Sequence, residues 1–124
     1  MSFYKFITGR IKAVGYASKG AILLLNEASI KVQLFIAIIM TIVGFYFEIT
    51  RMEWIAQILS IGLVMSLEGM NTTVEAVADF IHPDYHKKIG HIKDIAAGSV
   101  VITAMAAIIV GLLIYVPYLE AAFS

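Results

Sequence analysis

From Ile95 to Leu119 the chain carries no charged residue. A helix of that length rises about 38 Å, more than the roughly 30 Å hydrocarbon core of a bilayer, so the run can cross a membrane with some tilt. Two further apolar stretches precede it, at about 32–48 and 54–81. The shorter one reaches across if Lys31 and Gln33 snorkel to the headgroups. The whole chain is 60% hydrophobic with a mean hydropathy of +0.90, well above the roughly 45–50% apolar usage of soluble domains. We therefore expect an all-α integral membrane protein with three transmembrane helices at about 32–48, 54–81 and 94–119. Its 124 residues suffice for a single domain over 1–124.

The segment 4–25 reads differently. Lys5, Arg10, Lys12 and Lys19 alternate with Phe6, Ile7, Ile11, Val14, Tyr16 and Ile22. That pattern predicts a basic amphipathic helix on the membrane surface. Its spread-out charge is unlike a signal peptide, which gathers charge ahead of an unbroken apolar core. Lysine and arginine are abundant in this arm and in the loop before the third span (Lys87, Lys88, Lys93). The first connector has only Arg51, and the segment after Leu119 has none. Positive charge marks the cytoplasmic side, so the N-terminus and the second loop are expected in the cytoplasm. The net charge is zero, which gives no sign of a nucleic-acid partner. With no cysteine, thiolate metal sites and cysteine nucleophiles are excluded.

Chemistry concentrates on the second span. Glu68, Asn71, Glu75 and Asp79 follow at i, i+3, i+7 and i+11, which places them within an arc of roughly 80° on a helix. A carboxylate at membrane depth costs at least about 2.5 kcal/mol, so acids there usually serve a function. The bland alternative is a set of polar contacts holding a bundle together. Glu27 lies where the surface helix meets the first span, and Lys93-Asp94 opens the third. All should fall near the inner interface. Carboxylates at one level make a hard oxygen site suited to Mg²⁺ with substrate phosphates. Lys93 suits a nucleotide phosphate, while Lys87 and Lys88 suit lipid headgroups.

Two apparent motifs do not hold. Gly15-Tyr-Ala-Ser-Lys-Gly20 resembles a phosphate loop, yet Ala21-Ile22 follow where Lys-Ser or Lys-Thr is required. The spacing of His82, His86 and His91 is too loose for a zinc site.

The pattern E-x2-N-x3-E-x3-D, followed by Asp84-Tyr85-His86 and Lys93-Asp94, with Ile11-Lys-Ala-Val-Gly-Tyr16 and Asn26-Glu27-Ala28 upstream, resembles the prokaryotic diacylglycerol kinase family. That family includes the undecaprenol kinases, and the resemblance covers nearly the whole chain. It implies a homotrimer of three-span subunits in the bacterial inner membrane, with active sites between subunits facing the cytoplasm. It implies ATP and Mg²⁺ as phosphoryl donor and cofactor, and a membrane lipid as acceptor. By position, Glu68 resembles the catalytic base, Glu27 and Glu75 the metal ligands, and Asn71 and Asp79 supporting groups. Arg10, Tyr16, Glu27, Glu75, Asp84, Tyr85, His86, Lys93 and Asp94 match nucleotide contacts; Ala13, Gly15, Lys31, Glu68 and Ala97 match the lipid side. The expected reaction is diacylglycerol to phosphatidic acid, in membrane phospholipid metabolism. Ala96-Ala97-Gly98 resembles the undecaprenol kinase branch, which keeps undecaprenol as the alternative acceptor. Gly69 is unusual beside the base and is expected to loosen the helix. Two readings from other classes compete. A proton or ion conductor would need acids through the full membrane depth. A non-catalytic scaffold would give Glu27 and Lys93 no reason to converge.

Overall fold

The computed structural model describes residues 2–124 and is all-helical, with four helices: α1 Phe3–Leu25, α2 Ala28–Tyr46, α3 Arg51–Ile81 and α4 Lys87–Phe123. The basic amphipathic segment expected at 4–25 forms a helix, α1. Its amide ends are met by Ser2, whose hydroxyl accepts from the Lys5 amide at 3.2 Å. No residue of α1 is buried, so it leans on the rest only near its end.

The other helices start earlier than their apolar cores suggested, and for α3 and α4 local side-chain capping explains why. Glu27 opens α2 as its N-cap residue. Thr50 and Glu53 form a reciprocal capping box: the Thr50 hydroxyl accepts from the Glu53 amide at 3.2 Å, and Glu53 accepts from the Thr50 amide at 2.9 Å. Two orphan donors are thereby satisfied, so α3 begins at Arg51. At the head of α4, His86 Nδ1 accepts from the Lys88 amide at 3.1 Å. The helix is thus extended seven residues ahead of the expected start at 94.

Between α2 and α3 the chain turns through Glu48 in the left-handed region, with φ of 51°. The Ile49 and Glu48 amides reach back to the Gly44 and Phe45 carbonyls, each at 3.2 Å. This is the Schellman arrangement, which usually employs glycine where Glu48 stands. Gly44 has a separate role: a Cβ there would lie 2.7 Å from the Trp54 ring, so its bare backbone lets α2 and α3 close together.

α3 packs against both α2 and α4. The small core sits at the hairpin end, where Ile49, Ile114 and Tyr115 meet Met40, Val43, Phe47, Trp54 and Tyr118. Polar groups there are paired. Gln57, only 5% exposed, donates to the Met40 carbonyl at 3.1 Å and accepts from the Tyr115 hydroxyl at 2.5 Å. The Tyr118 hydroxyl donates to Glu53 at 2.5 Å. Most large apolar side chains elsewhere face outward, including Phe35, Ile42, Leu63, Ile102 and Leu113. Water would penalise such a surface at about 25 cal/mol per Å², and lipid does not. Two helices, α2 and α4, are long and apolar enough to cross a membrane. α3 has the length, but its acids interrupt the apolar run.

Candidate functional site

The end opposite the hairpin gathers the acids. On α3, Glu68 and Asn71 are half-buried, whereas Glu75 and Asp79 are exposed. At about 100° per residue, Gly69 lies to one side of this stripe and Ala78 to the other. Gly69 meets Leu24 of α1. Ala78, together with Val74 and Ile81, faces Ile89 and Ile92 of α4 across a small apolar cavity of about 220 Å³. The stripe therefore fills the sector between the α1–α2 elbow and α4.

Within it the Asn71 amide donates to Glu75 at 3.3 Å. The Asn71 carbonyl oxygen is buried without a hydrogen-bond partner. An acceptor left open in a buried place costs about 1–3 kcal/mol, and such groups mark positions where a ligand, water or ion completes the set. Asp79 is engaged: it receives the Lys93 ammonium at 2.5 Å, the two side chains being 60% and 34% exposed. The nucleotide role expected of Lys93 thus meets a competing carboxylate, a contact that sequence spacing did not reveal.

Glu27 stands at the elbow. Its carbonyl accepts from the Lys31 amide at 3.0 Å, but its carboxylate makes no capping bond despite the N-cap position. Lys31 itself is exposed on the first turn of α2. On α1, Arg10, Ala13, Gly15 and Tyr16 are all exposed, and the Arg10 guanidinium sits 5.3 Å from the centre of the Phe6 ring. Asp84, Tyr85 and His86 lie exposed in the loop before α4, as do Asp94 and Ala97 on it. The His82 Nδ1 donates to the Asp84 carbonyl at 2.6 Å, and Tyr85 lies over Gly90, where a Cβ would come within 3.2 Å of its ring.

The Glu27 and Glu75 carboxylates and the Asn71 carbonyl are hard oxygen donors. Their type and number fit Mg²⁺, which takes one or two carboxylates and keeps water or phosphate in its other positions. Among the described residues of one chain, no three acids or histidines converge as a complete metal cage. Above Glu68, α3 carries no ionisable side chain until Glu53, a gap of about 22 Å. A proton relay along α3 lacks its steps there. A larger apolar cavity of about 340 Å³ occupies that stretch between α2, α3 and α4, with Gln33, Gln57 and Ser60 on its walls. Its lining runs along α3 as far as Val64 and Met65, one turn short of Glu68.

A helical membrane bundle with a one-sided acidic site defines the class; comparison with known proteins gives the family. The family model for prokaryotic diacylglycerol kinase matches residues 15–115. An undecaprenol kinase of Bacillus subtilis is 41% identical over 78 residues, covering 63% of each chain. A diacylglycerol kinase of Escherichia coli K12 is 31% identical over 100 residues, covering 80% of this chain and 82% of that one. A Haemophilus influenzae diacylglycerol kinase is 38% identical over 77 residues, covering 62% of this chain and 65% of that one. The chain belongs to the prokaryotic diacylglycerol kinase family. It is a membrane lipid kinase that draws on a nucleotide phosphoryl donor.

Proposed function

We propose that the protein transfers the γ-phosphoryl group of ATP, with Mg²⁺, to the hydroxyl of diacylglycerol, forming phosphatidic acid and ADP. The observation that carries this reading is the Glu68–Asn71–Glu75 face, with one buried acceptor open and its carboxylates aligned along a single helix. Phosphoryl transfer asks mainly for positioning, charge neutralisation and an oriented nucleophile, and each residue of this face has a part in that work. Glu68, deepest of the acids, takes the proton from the lipid hydroxyl as its oxygen attacks the γ-phosphorus and the bond to the ADP oxygen breaks. Glu75, two turns nearer the interface, and Glu27 would hold Mg²⁺, which would supply positive charge to neutralise the phosphate oxygens. Asn71 steadies Glu75 through its amide. Arg10, Tyr16, Asp84, Tyr85, His86, Lys93 and Asp94 border the nucleotide, which competes with Asp79 for the Lys93 ammonium. Ala13, Gly15, Lys31 and Ala97 border the lipid.

The same proposal includes a third crossing by α3, an inner-membrane location with the acidic end in the cytoplasm, and a homotrimer in which neighbouring chains complete each site. The single 1–124 domain would then be one subunit of that assembly. The 41% identity to an undecaprenol kinase favours one second reading, with undecaprenol as acceptor and undecaprenyl phosphate as product.

The test is purified protein reconstituted with ATP, Mg²⁺ and either diacylglycerol or undecaprenol, with phosphorylated lipid as the readout. We expect product from diacylglycerol. Product from undecaprenol alone moves the assignment to the second reading. A folded, reconstituted protein that phosphorylates neither lipid overturns it.

A further inference from the structure

Gly69 has no side chain, and the space beside it is occupied. A Cβ built there would lie 2.7 Å from Leu24 Cδ1, 3.2 Å from Cδ2 and 3.5 Å from Cγ. Gly69 is buried, and Leu24 is half-buried near the end of α1, a helix exposed everywhere else but at Thr8. Both methyls and the branch carbon lie against the glycine, so the Leu24 side chain is the first thing that a Cβ at 69 meets. A side chain at 69 therefore makes Leu24 give way, by a change of rotamer or by a shift of the end of α1 that carries it.

That end is tied to Glu27. The Glu27 amide donates to the Leu24 carbonyl at 3.0 Å, and the Asn26 amide donates to Leu23 at 3.1 Å. Asn26 adds a side-chain bond to the Ile22 carbonyl at 2.9 Å. The elbow is thus a bonded unit from Ile22 to Glu27, with Leu24 as its point of contact on α3. The contact falls on the residue next to Glu68.

We infer that Gly69 and Leu24 are positioning residues: their contact sets the depth and angle at which the elbow presents the Glu27 carboxylate to the Glu68–Glu75 face. This inference rests on the kinase reading above. It also gives Gly69 a different role from loosening its helix, since the missing Cβ serves a contact between helices.

Helix propensity alone would make Gly69→Ala neutral or stabilising, because alanine is the better helix former. Positioning predicts the opposite effect on turnover. Displacing a catalytic array by an ångström can cost on the order of a hundredfold in rate. For Gly69→Ala we expect kcat to fall about ten- to a hundredfold, with the Mg²⁺ half-saturation raised, the lipid KM unchanged and the melting temperature held or increased. The double variant Leu24→Ala with Gly69→Ala removes the clash and should recover much of the lost turnover. Geometry is read independently by spin labels on Ala28→Cys and Met70→Cys in this cysteine-free chain, diluted into unlabelled protein. One narrow distance should shift or broaden with Gly69→Ala and sharpen again in the double variant. Wild-type turnover retained in Gly69→Ala, an unmoved label distance, or a loss that the double variant does not relieve would each overturn the inference. Failure of the wild-type protein to phosphorylate any lipid would instead sink the kinase reading beneath it.

Discussion

The two ends of the bundle use polar groups in opposite ways. At the hairpin end, Gln57, Tyr115, Tyr118, Glu53 and Thr50 satisfy one another within a single chain. At the acidic end, Asn71 leaves a buried oxygen open and the Glu27 carboxylate declines its capping bond. Paired polar groups in a core lock one arrangement, and unpaired ones near a surface await a partner. The hairpin end therefore holds the chain in shape, and the acidic end is shaped to receive something.

If that division is right, substitutions at the two ends should separate stability from turnover. The largest effect is expected at Glu68: Glu68→Gln should lower kcat by about 10²–10⁴-fold, the range for loss of a general base, while leaving the melting temperature unmoved. Glu75→Gln should raise the Mg²⁺ half-saturation by at least about tenfold; a superimposable Mg²⁺ titration would remove Glu75 from the metal site. At the other end, Gly44→Ala drives a methyl into Trp54 and should cost about 1–3 kcal/mol of stability. It should do so without changing turnover at permissive temperature, which melting curves and assays on one preparation would check.

Smaller effects refine the contrast. The Tyr118 hydroxyl, followed by the Thr50 amide, holds the Glu53 carboxyl below its ordinary value. A carboxyl depressed by folding contributes stability that is complete above its unfolded value of about 4.3 and is lost as pH falls through the lowered one. Melting temperature should therefore decline at acid pH more steeply in the wild type than in Tyr118→Phe. Last, Glu48 holds a positive φ, so Glu48→Gly should stabilise the chain by about 1 kcal/mol; a lower melting temperature would mean that the Glu48 side chain matters more than its strain.

The sequence showed the acidic end more clearly than the hairpin end. A stripe at i, i+3, i+7 and i+11 is a local pattern, readable from helix geometry alone. So was the basic face of α1. The capping box at Thr50–Glu53 was equally local but lay in a stretch that reads as a connector. The contacts among Met40, Gln57 and Tyr115 join residues far apart in the chain, and nothing in the spacing of Gln57 names Tyr115 as its partner. Gly69 shows the same limit: from sequence it is a weak point in a helix, and its use appears only once Leu24 lies against it. Lys93 looked free for a phosphate until folding brought Asp79 beside it.

The most direct test measures lipid phosphorylation and melting temperature on the same reconstituted sample of Glu68→Gln. The division of labour between the ends predicts turnover reduced to a small fraction of wild type in a protein that melts where the wild type does. Turnover near wild type, or a loss of activity that tracks a loss of stability, would contradict it.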